Sequence, residues 1–307
     1  MIDPLEGFNP RSETTLFLMR EAQKRGHRLF VFTLSDFHQR NHFLYGEGLE
    51  IKILERSRIP FYKVLRQTRV KLEELDVLFL RKDPPFDLTY LHHLYLLQGL
   101  RGKVFMMNDP LGILSTPEKI GIFDFPSHIP PTCVTQSFPR MNDFAKAHPQ
   151  GIVIKPLHLS GGRNVFRFKS TDSNLKVAFD LLSQNGKDYV MGQAYLPVDR
   201  TGDKRIILLN GKILGSFLRM PKKGEHRANL HSGGSFKACR ITLKETKIAR
   251  EVGEALLKRG LYFIGLDLID EHLTEVNVTS PMGINEINQT ENRHCEKQVI
   301  DFVESCL

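Results

Sequence analysis

This sequence has no run of the roughly 18–20 apolar residues that a membrane-spanning helix needs, so such a helix is excluded as an organising element. Cysteine is scarce too. Cys133, Cys239, Cys295 and Cys306 stand far apart with no Cys-x-x-Cys pair, so neither a disulfide framework nor a cysteine zinc site is expected, and they read as reduced thiols. The opening residues Met1 to Gly7 lack the basic and apolar segments of a secretory signal, and a cytoplasmic protein is expected. Also missing are a Ser-His-Asp nucleophile elbow, a His-Glu-x-x-His pair, the Walker spacing, any nucleic-acid-reading motif and any internal repeat. Serine hydrolases, zinc peptidases and P-loop ATPases fall away with them. The formal charge of +8, from 43 Lys and Arg against 35 Asp and Glu, is spread along the chain. Such an excess suits a cleft that gathers anionic small molecules, and neither nucleic acid nor a membrane is expected as a partner.

What is present is a pair of strands bearing oxygen ligands. Gly265-Leu-Asp-Leu-Ile and Leu273-Thr-Glu-Val-Asn-Val run or alternate apolar around a polar turn, Asp270-Glu271-His272, which is the pattern of a β-hairpin. The two-residue period of a strand puts Glu275 and Asn277 on one face, where a paired strand can bring Asp267 opposite them. Two carboxylates and an amide oxygen suit a hard divalent cation such as Mg²⁺, which completes its shell with water and nucleotide phosphates. A hairpin that simply faces solvent has the same pattern.

The first third alternates helices and strands. A helix over 13–25 ends at Gly26, strands begin at Leu29, Asp76 and Gly102, and a helix over 89–100 separates the last two. That order implies a parallel sheet with covering helices, in which loops at the C-terminal strand ends line the ligand site, and it singles out Arg81-Lys-Asp-Pro-Pro-Phe-Asp87. Residues 112–131, with several prolines and glycines, read as a linker or domain boundary. A second unit follows, with a strand ending at Lys155, a loop His158-Leu-Ser-Gly-Gly-Arg163, a helix over 174–184 and a strand from Tyr189. In a third, Asn210-Gly211 between two apolar runs signals a hairpin, and a helix over 244–259 stops at Gly260.

Lys155 at a strand end can reach phosphate oxygens, and Ser160-Gly161-Gly162 can cover them with backbone donors, although a glycine pair is as easily an ordinary turn. Arg205 and Arg219 flank the Asn210-Gly211 hairpin. With Asp267, Glu275 and Asn277 they would form a cluster suited to phosphoryl transfer, where catalysis is mostly positioning and charge neutralisation. Arg227 and Asn229 offer a clamp for a carboxylate.

In order and in kind these motifs resemble the bacterial glutathione synthetases of the ATP-grasp superfamily over nearly the whole chain. The match is carried by Arg81-Lys-Asp-Pro-Pro-Phe-Asp87, Ile154-Lys-Pro156, Asp203-Lys-Arg205, Arg227-x-Asn-Leu230, Gly265-Leu-Asp-Leu-Ile and Leu273-Thr-Glu-Val-Asn-Val-Thr-Ser-Pro281. The resemblance implies an α/β and α+β protein of ATP-grasp fold with an N-terminal Rossmann-like parallel-sheet domain over 1–115, a central subdomain over 116–195 and a catalytic subdomain over 196–307. It implies that ATP phosphorylates γ-glutamylcysteine and that glycine displaces phosphate to give glutathione. Under it Lys119 and Lys155 bind phosphates, Gln193, Tyr195 and Leu196 form the adenine hinge, and Asp203 lies near the ribose. Arg205 and Arg219 face the phosphate and acyl phosphate. Asp267, Glu275 and Asn277 hold two Mg²⁺ or Mn²⁺, and Arg81, Arg227 and Asn229 meet the peptide or glycine in a homo-oligomer, dimer or tetramer.

The chain departs from the family in several places. Asp3-Pro4 follows only two residues, where the family has a full strand. His158-Leu-Ser-Gly-Gly-Arg163-Asn164 replaces a loop richer in glycine, and Asn285 stands where the family has an arginine near the second substrate. Two alternatives follow, a carboxylate–amine ligase for another peptide or amine, and a non-catalytic nucleotide-binding protein.

Overall fold

The computed structural model describes residues 1–55, 59–222, 228 and 233–307. Helix α1 (Thr14–Lys24) is capped by the Glu13 side chain, which accepts from Thr15 N at 3.1 Å, and it ends before Gly26 with φ 93°. Strands β1 (Leu29–Val31), β2 (Phe37–Arg40), β3 (Phe43–Ile53) and β4 (Tyr62–Lys71) are antiparallel, and β3 pairs with the other three. Strands β5 (Val77–Phe79) and β6 (Phe105–Met107) pair in parallel on either side of α2 (Leu88–Leu97). The expected parallel sheet is therefore present but short. Its inner place is taken by the first two residues: Ile2 N donates to Phe32 O at 2.9 Å, Arg81 N donates to Met1 O at 2.8 Å, and Ile2 bridges Arg81 in parallel. The β3–β4 ribbon is an addition to the expected order. Most of β4 is exposed and carries Lys63, Arg66 and Arg69, so no apolar alternation marks it as a strand.

The stretch expected as a linker is packed structure. It holds α3 (Pro110–Ser115), with Asp109 Oδ1 accepting from Leu111 N at 2.8 Å, and a 3₁₀ turn over Ile120–Asp124. Pro110 occupies the first helical turn, where its missing N–H costs nothing. A Cβ on Gly112 would fall 2.2 Å from Arg259 O, so the glycine permits a close approach of two backbones.

A four-stranded antiparallel sheet comes next, ordered β7-β10-β8-β9, from β7 (Thr132–Thr135), β8 (Ile152–Pro156), β9 (Phe166–Phe168) and β10 (Val190–Ala194). Helices α4 (Phe138–Ala147) and α5 (Asn174–Leu182) back it, and Met141, Ile154, Phe179 and Val190 belong to a core of its own. One turn of helix, α6 (Val198–Thr201), leads into a five-stranded antiparallel sheet ordered β13-β12-β11-β14-β15. Its strands are β11 (Asp203–Leu209), β12 (Lys212–Met220), β13 (Ser235–Lys237), β14 (Phe263–Ile269) and β15 (His272–Asn277). The β11–β12 turn has φ 50° at Asn210 and 74° at Gly211, and the β14–β15 turn has φ 48° at Asp270 and 57° at Glu271. Both are the left-handed two-residue turns that match the twist of paired strands. Helix α7 (Leu243–Leu257) starts at a Thr242/Glu245 capping box and buries Ile248, Val252 and Leu256, and α8 (Ile284–Glu291) and α9 (Cys295–Glu304) follow.

The largest apolar core runs from Leu78, Leu94 and Ile113 through Ile122 to Leu266 and Val276, so the N-terminal part and the five-stranded sheet share one interior. Buried Asn108 stitches them together. Its Nδ2 donates to Phe263 O and Val278 O, and its Oδ1 accepts from Tyr262 N and Phe263 N, all at 2.8 Å. Among the described residues no helix is long and apolar enough to cross a membrane.

Candidate active site

The five-stranded sheet builds a charged array by register alone. Asp203 pairs with Arg219 across β11 and β12, Arg205 with Asp267 across β11 and β14, and Asp267 with Glu275 across β14 and β15. Arg205 grips Asp267 with two parallel bonds, Nε to Oδ1 at 2.5 Å and Nη2 to Oδ2 at 3.0 Å, and its Nη1 donates to Met282 O at 3.1 Å. Arg219 Nη2 lies 2.7 Å from Asp203 Oδ2 and 2.9 Å from Asp267 Oδ1. Both contacts are ion pairs between buried groups. Arg219 Nε and Nη2 and Asp203 Oδ1 are buried with no hydrogen-bond partner among the described residues. Unsatisfied buried donors are costly, and an arriving phosphate or carboxylate would relieve them.

Burial and partners set the charges. Burial alone would push the Asp267 carboxyl up, but Arg205 and Arg219 hold it well below the usual carboxylate range. Burial works against the Arg219 guanidinium, yet Asp203 and Asp267 raise it above its ordinary value. Asp203 ends up raised, because burial and the nearby Asp267 outweigh Arg219. Glu275 is lowered: burial opposes its charge, and Lys119 and Lys155 overcome that.

A bulge sits at the centre of this array. Asp267 pairs with Glu275 while the next pair along is Leu268 with Leu273, which makes Thr274 the extra residue. Strict alternation would put Leu273 on the face of Glu275 and Asn277. The bulge instead lets the adjacent Thr274 and Glu275 both line the cleft while Leu273 and Val276 enter the core. Thr274 Oγ1 donates to Asp267 O at 3.0 Å, and Thr274 O accepts from Lys155 Nζ at 3.4 Å.

The opposite wall comes from the four-stranded sheet. Lys155 on β8 is buried, and burial pushes its ammonium down to about 8. Gln193 on β10 donates from Nε2 to Thr132 Oγ1 at 3.2 Å. Tyr195 lies under the Arg167 guanidinium, 3.4 Å from its ring centroid, and its hydroxyl donates to Asp199 Oδ1 at 2.8 Å. Leu196 completes that edge. Lys119 spans the gap, with Nζ 3.1 Å from Glu275 Oε1 and donating to Leu159 O. Ser160, Gly161 and Gly162 form the roof, with φ 68° and 72° at the glycines, a left-handed pair that accommodates no Cβ cheaply. These walls enclose a cleft of about 150 Å³.

The cleft thus brings together Lys119, Lys155, Ser160, Gly161, Gly162, Gln193, Tyr195, Leu196, Asp203, Arg205, Asp267, Glu275 and Asn277. Arg219 joins them through its two carboxylates. Arg81, expected to meet the peptide or glycine, is not among the residues lining this cleft and is held by internal contacts. Its Nε donates to Thr15 Oγ1 at 3.2 Å, its Nη1 to Pro281 O at 3.0 Å, and its guanidinium lies over Phe263. Proximity in sequence to a strand end suggested a ligand contact, but the side chain turns to α1 and to the segment before α8. Arg227 and Asn229 lie outside the described residues; Ala228 between them lines the cleft.

Glu118, which no motif in the sequence marks, also belongs to the site's frame. Its Oε1 accepts from Val278 N at 3.0 Å, Thr279 N at 3.1 Å and Thr279 Oγ1 at 2.8 Å, and its carbonyl accepts from Val276 N at 3.0 Å. It fixes the end of β15 beside Lys119, and an acid next to a nominated phosphate lysine was the available signal.

The donors suit an oxygen-seeking divalent cation. Asp267 and Glu275 face each other in register, and Asn277 spends Nδ2 on Gly265 O at 3.3 Å while its Oδ1 is uncommitted among the described residues.

Residues 1–113 match the family profile described as prokaryotic glutathione synthetase, N-terminal domain, and residues 118–292 match that of prokaryotic glutathione synthetase, ATP-grasp domain. The chain is 35% identical over 308 residues to a glutathione synthetase of Nitrosomonas europaea, covering 99% of this chain and 96% of the relative. It is 36% identical over 307 residues to one of Bradyrhizobium diazoefficiens, again covering 99% and 96%. Among solved structures, the macrocyclase MdnC of Microcystis aeruginosa superposes with a TM-score of 0.66 at 13% identity, over 99% of this chain and 98% of that one. D-alanyl-alanine synthetase A of Vibrio cholerae superposes with a TM-score of 0.57 at 13% identity, over 88% and 86%. These two likenesses speak to the ATP-grasp fold alone.

Proposed function

This chain belongs to the prokaryotic glutathione synthetase family, and from that premise we propose that its cleft makes glutathione. ATP phosphorylates the C-terminal carboxylate of γ-glutamylcysteine, and the amine of glycine then displaces phosphate from the acyl phosphate, leaving ADP and phosphate. The observation that supports this most directly is the in-register array of Asp203, Arg219, Arg205, Asp267 and Glu275, set opposite Lys119 and Lys155. Phosphoryl transfer asks a protein chiefly to position and neutralise, and this array does both.

In our reading Lys119 and Lys155 hold the ATP phosphates under the roof of Ser160, Gly161 and Gly162. Gln193, Tyr195 and Leu196 bound the adenine, with Asp203 near the ribose. Arg205 and Arg219 face the transferring phosphoryl group and the acyl phosphate, where forked guanidinium donors match paired oxygens. Asp267, Glu275 and Asn277 would hold Mg²⁺ or Mn²⁺, two ions in this reading, whose charge would neutralise phosphate oxygens. Arg227 and Asn229 are assigned to the peptide or glycine, and Arg81 to bracing residues 281–282. The protein is expected to act in the cytoplasm as a homo-oligomer, dimer or tetramer.

An ADP-release assay on a substrate panel tests the reading. Turnover should require γ-glutamylcysteine and glycine together. Turnover with a different pair alone would move the chain to another carboxylate–amine ligation, and no ADP with any pair would leave a nucleotide-binding protein without this chemistry.

A further inference from the structure

The roof of the cleft carries a cation to which the proposed function gives no part. Arg163 lines the cleft with Lys119 and Lys155. Its backbone N and its Nε both donate to Ser160 O, at 3.3 and 3.2 Å. This double hold closes the turn through Gly161 and Gly162 and keeps the guanidinium at the cleft. Lys119 holds the neighbouring carbonyl, Leu159 O, so two cleft cations rest on successive carbonyls of one loop. A second tie fixes the loop from outside, where Phe86 N donates to His158 O at 3.3 Å. The two cations differ in one respect. Lys119 is paired with Glu275, whereas Arg163 has no carboxylate within ion-pair distance among the described residues.

A neutral carbonyl is a weaker acceptor for a guanidinium than a phosphate oxygen, which offers charge and paired oxygens at the spacing of the arginine fork. We propose that Arg163 is a nucleotide-binding residue, a guanidinium that the roof loop lays on the polyphosphate of the nucleotide. The loop thus contributes a side-chain charge in addition to the backbone N–H groups of its glycines. This rests on the reading of the cleft as a nucleotide site. Because Arg163 is exposed, its replacement leaves the cores untouched.

The test is calorimetric titration of the full chain with ATP, ADP and adenosine in Mg²⁺ buffer, for the unmodified protein, Arg163→Ala and Arg163→Lys. The expected result is an ATP dissociation constant raised about tenfold in Arg163→Ala, the loss of one charge-assisted contact. Arg163→Lys should recover part of it, adenosine binding should not change, and the ATP affinity of Arg163→Ala should depend less steeply on salt. Unchanged ATP affinity in Arg163→Ala overturns the proposal. So does an equal loss for ATP and adenosine, which would place the effect in the shape of the loop. Failure of the unmodified chain to bind ATP would remove the nucleotide reading itself, and this proposal with it.

Discussion

Replacing Lys155 by methionine should make the free protein more stable while weakening its hold on ATP. Burial lowers the Lys155 ammonium from an ordinary 10.5 to about 8, with Glu275 opposing the fall and Lys119 adding to it. Between those values the unfolded chain binds a proton at this lysine that the folded chain lacks, so stability climbs as pH rises from about 8 to 10.5. Below pH 8 both states are protonated, and the folded protein bears the whole cost of a buried charge, about 3 kcal/mol for a displacement of this size. Methionine has a similar length and no charge. It also forfeits the bond to Thr274 O, worth about 1 kcal/mol, so a net gain of about 2 kcal/mol is expected at pH 7. Urea unfolding without nucleotide measures it, and the gap between variant and parent should shrink as pH rises above 8 and reverse, to about 1 kcal/mol in favour of the parent, near pH 10.5. A variant less stable than its parent at pH 7, or a gap that ignores pH, would refute the reasoning. The dissociation constant for ATP should rise at least about tenfold through the lost cation.

Arg219→Ala should lower kcat by about two orders of magnitude with little change in KM for ATP, as befits a group that meets charge developing in the transition state; steady-state kinetics check it, and a raised KM with intact kcat would reassign Arg219 to ground-state binding. Asn108→Ala strips partners from four buried backbone groups of the β14–β15 region and should cost about 3 kcal/mol or more in urea unfolding. Removing divalent cations with a chelator should abolish ADP release, and re-addition of Mg²⁺ or Mn²⁺ should restore it; activity that survives chelation would contradict the role given to Asp267, Glu275 and Asn277.

Much of the site was legible because its residues sit on two hairpins with strong local signals. Asn210-Gly211 announces the first, and the alternation around Asp270-Glu271 the second, so strand period and pairing bring Asp267, Glu275, Arg205 and Arg219 together. Helices α1 and α7 were marked by their periodic apolar faces and by Gly26 and Gly260. What escaped depended on partners distant in sequence. Thr274 is a bulge only because Leu268 keeps its pairing with Leu273. Arg81 turns to Thr15 and Pro281, 66 and 200 residues away. The β4 strand is held by pairing to β3 through an exposed, cationic sequence, and the segment from Gly112 reads as a tether because the tight approach of Gly112 to Arg259 is invisible locally.

The separateness of the smaller apolar core has a mechanical consequence. Residues 132–194 carry one wall of the cleft and its roof, yet most of their interior side chains pack among themselves, and only a few, Met191 with Val134 and Leu157, lean on the larger core. Tilting that lobe therefore disturbs little buried surface, whereas the N-terminal part and the five-stranded sheet, joined by Asn108, would have to break a common interior to separate. A cleft of about 150 Å³ is small beside the roughly 300–1,000 Å³ of typical small-molecule sites. A nucleotide bound there is therefore expected to need the small lobe to move as a unit on the chain segments at either end of it, against the cation-bearing sheet.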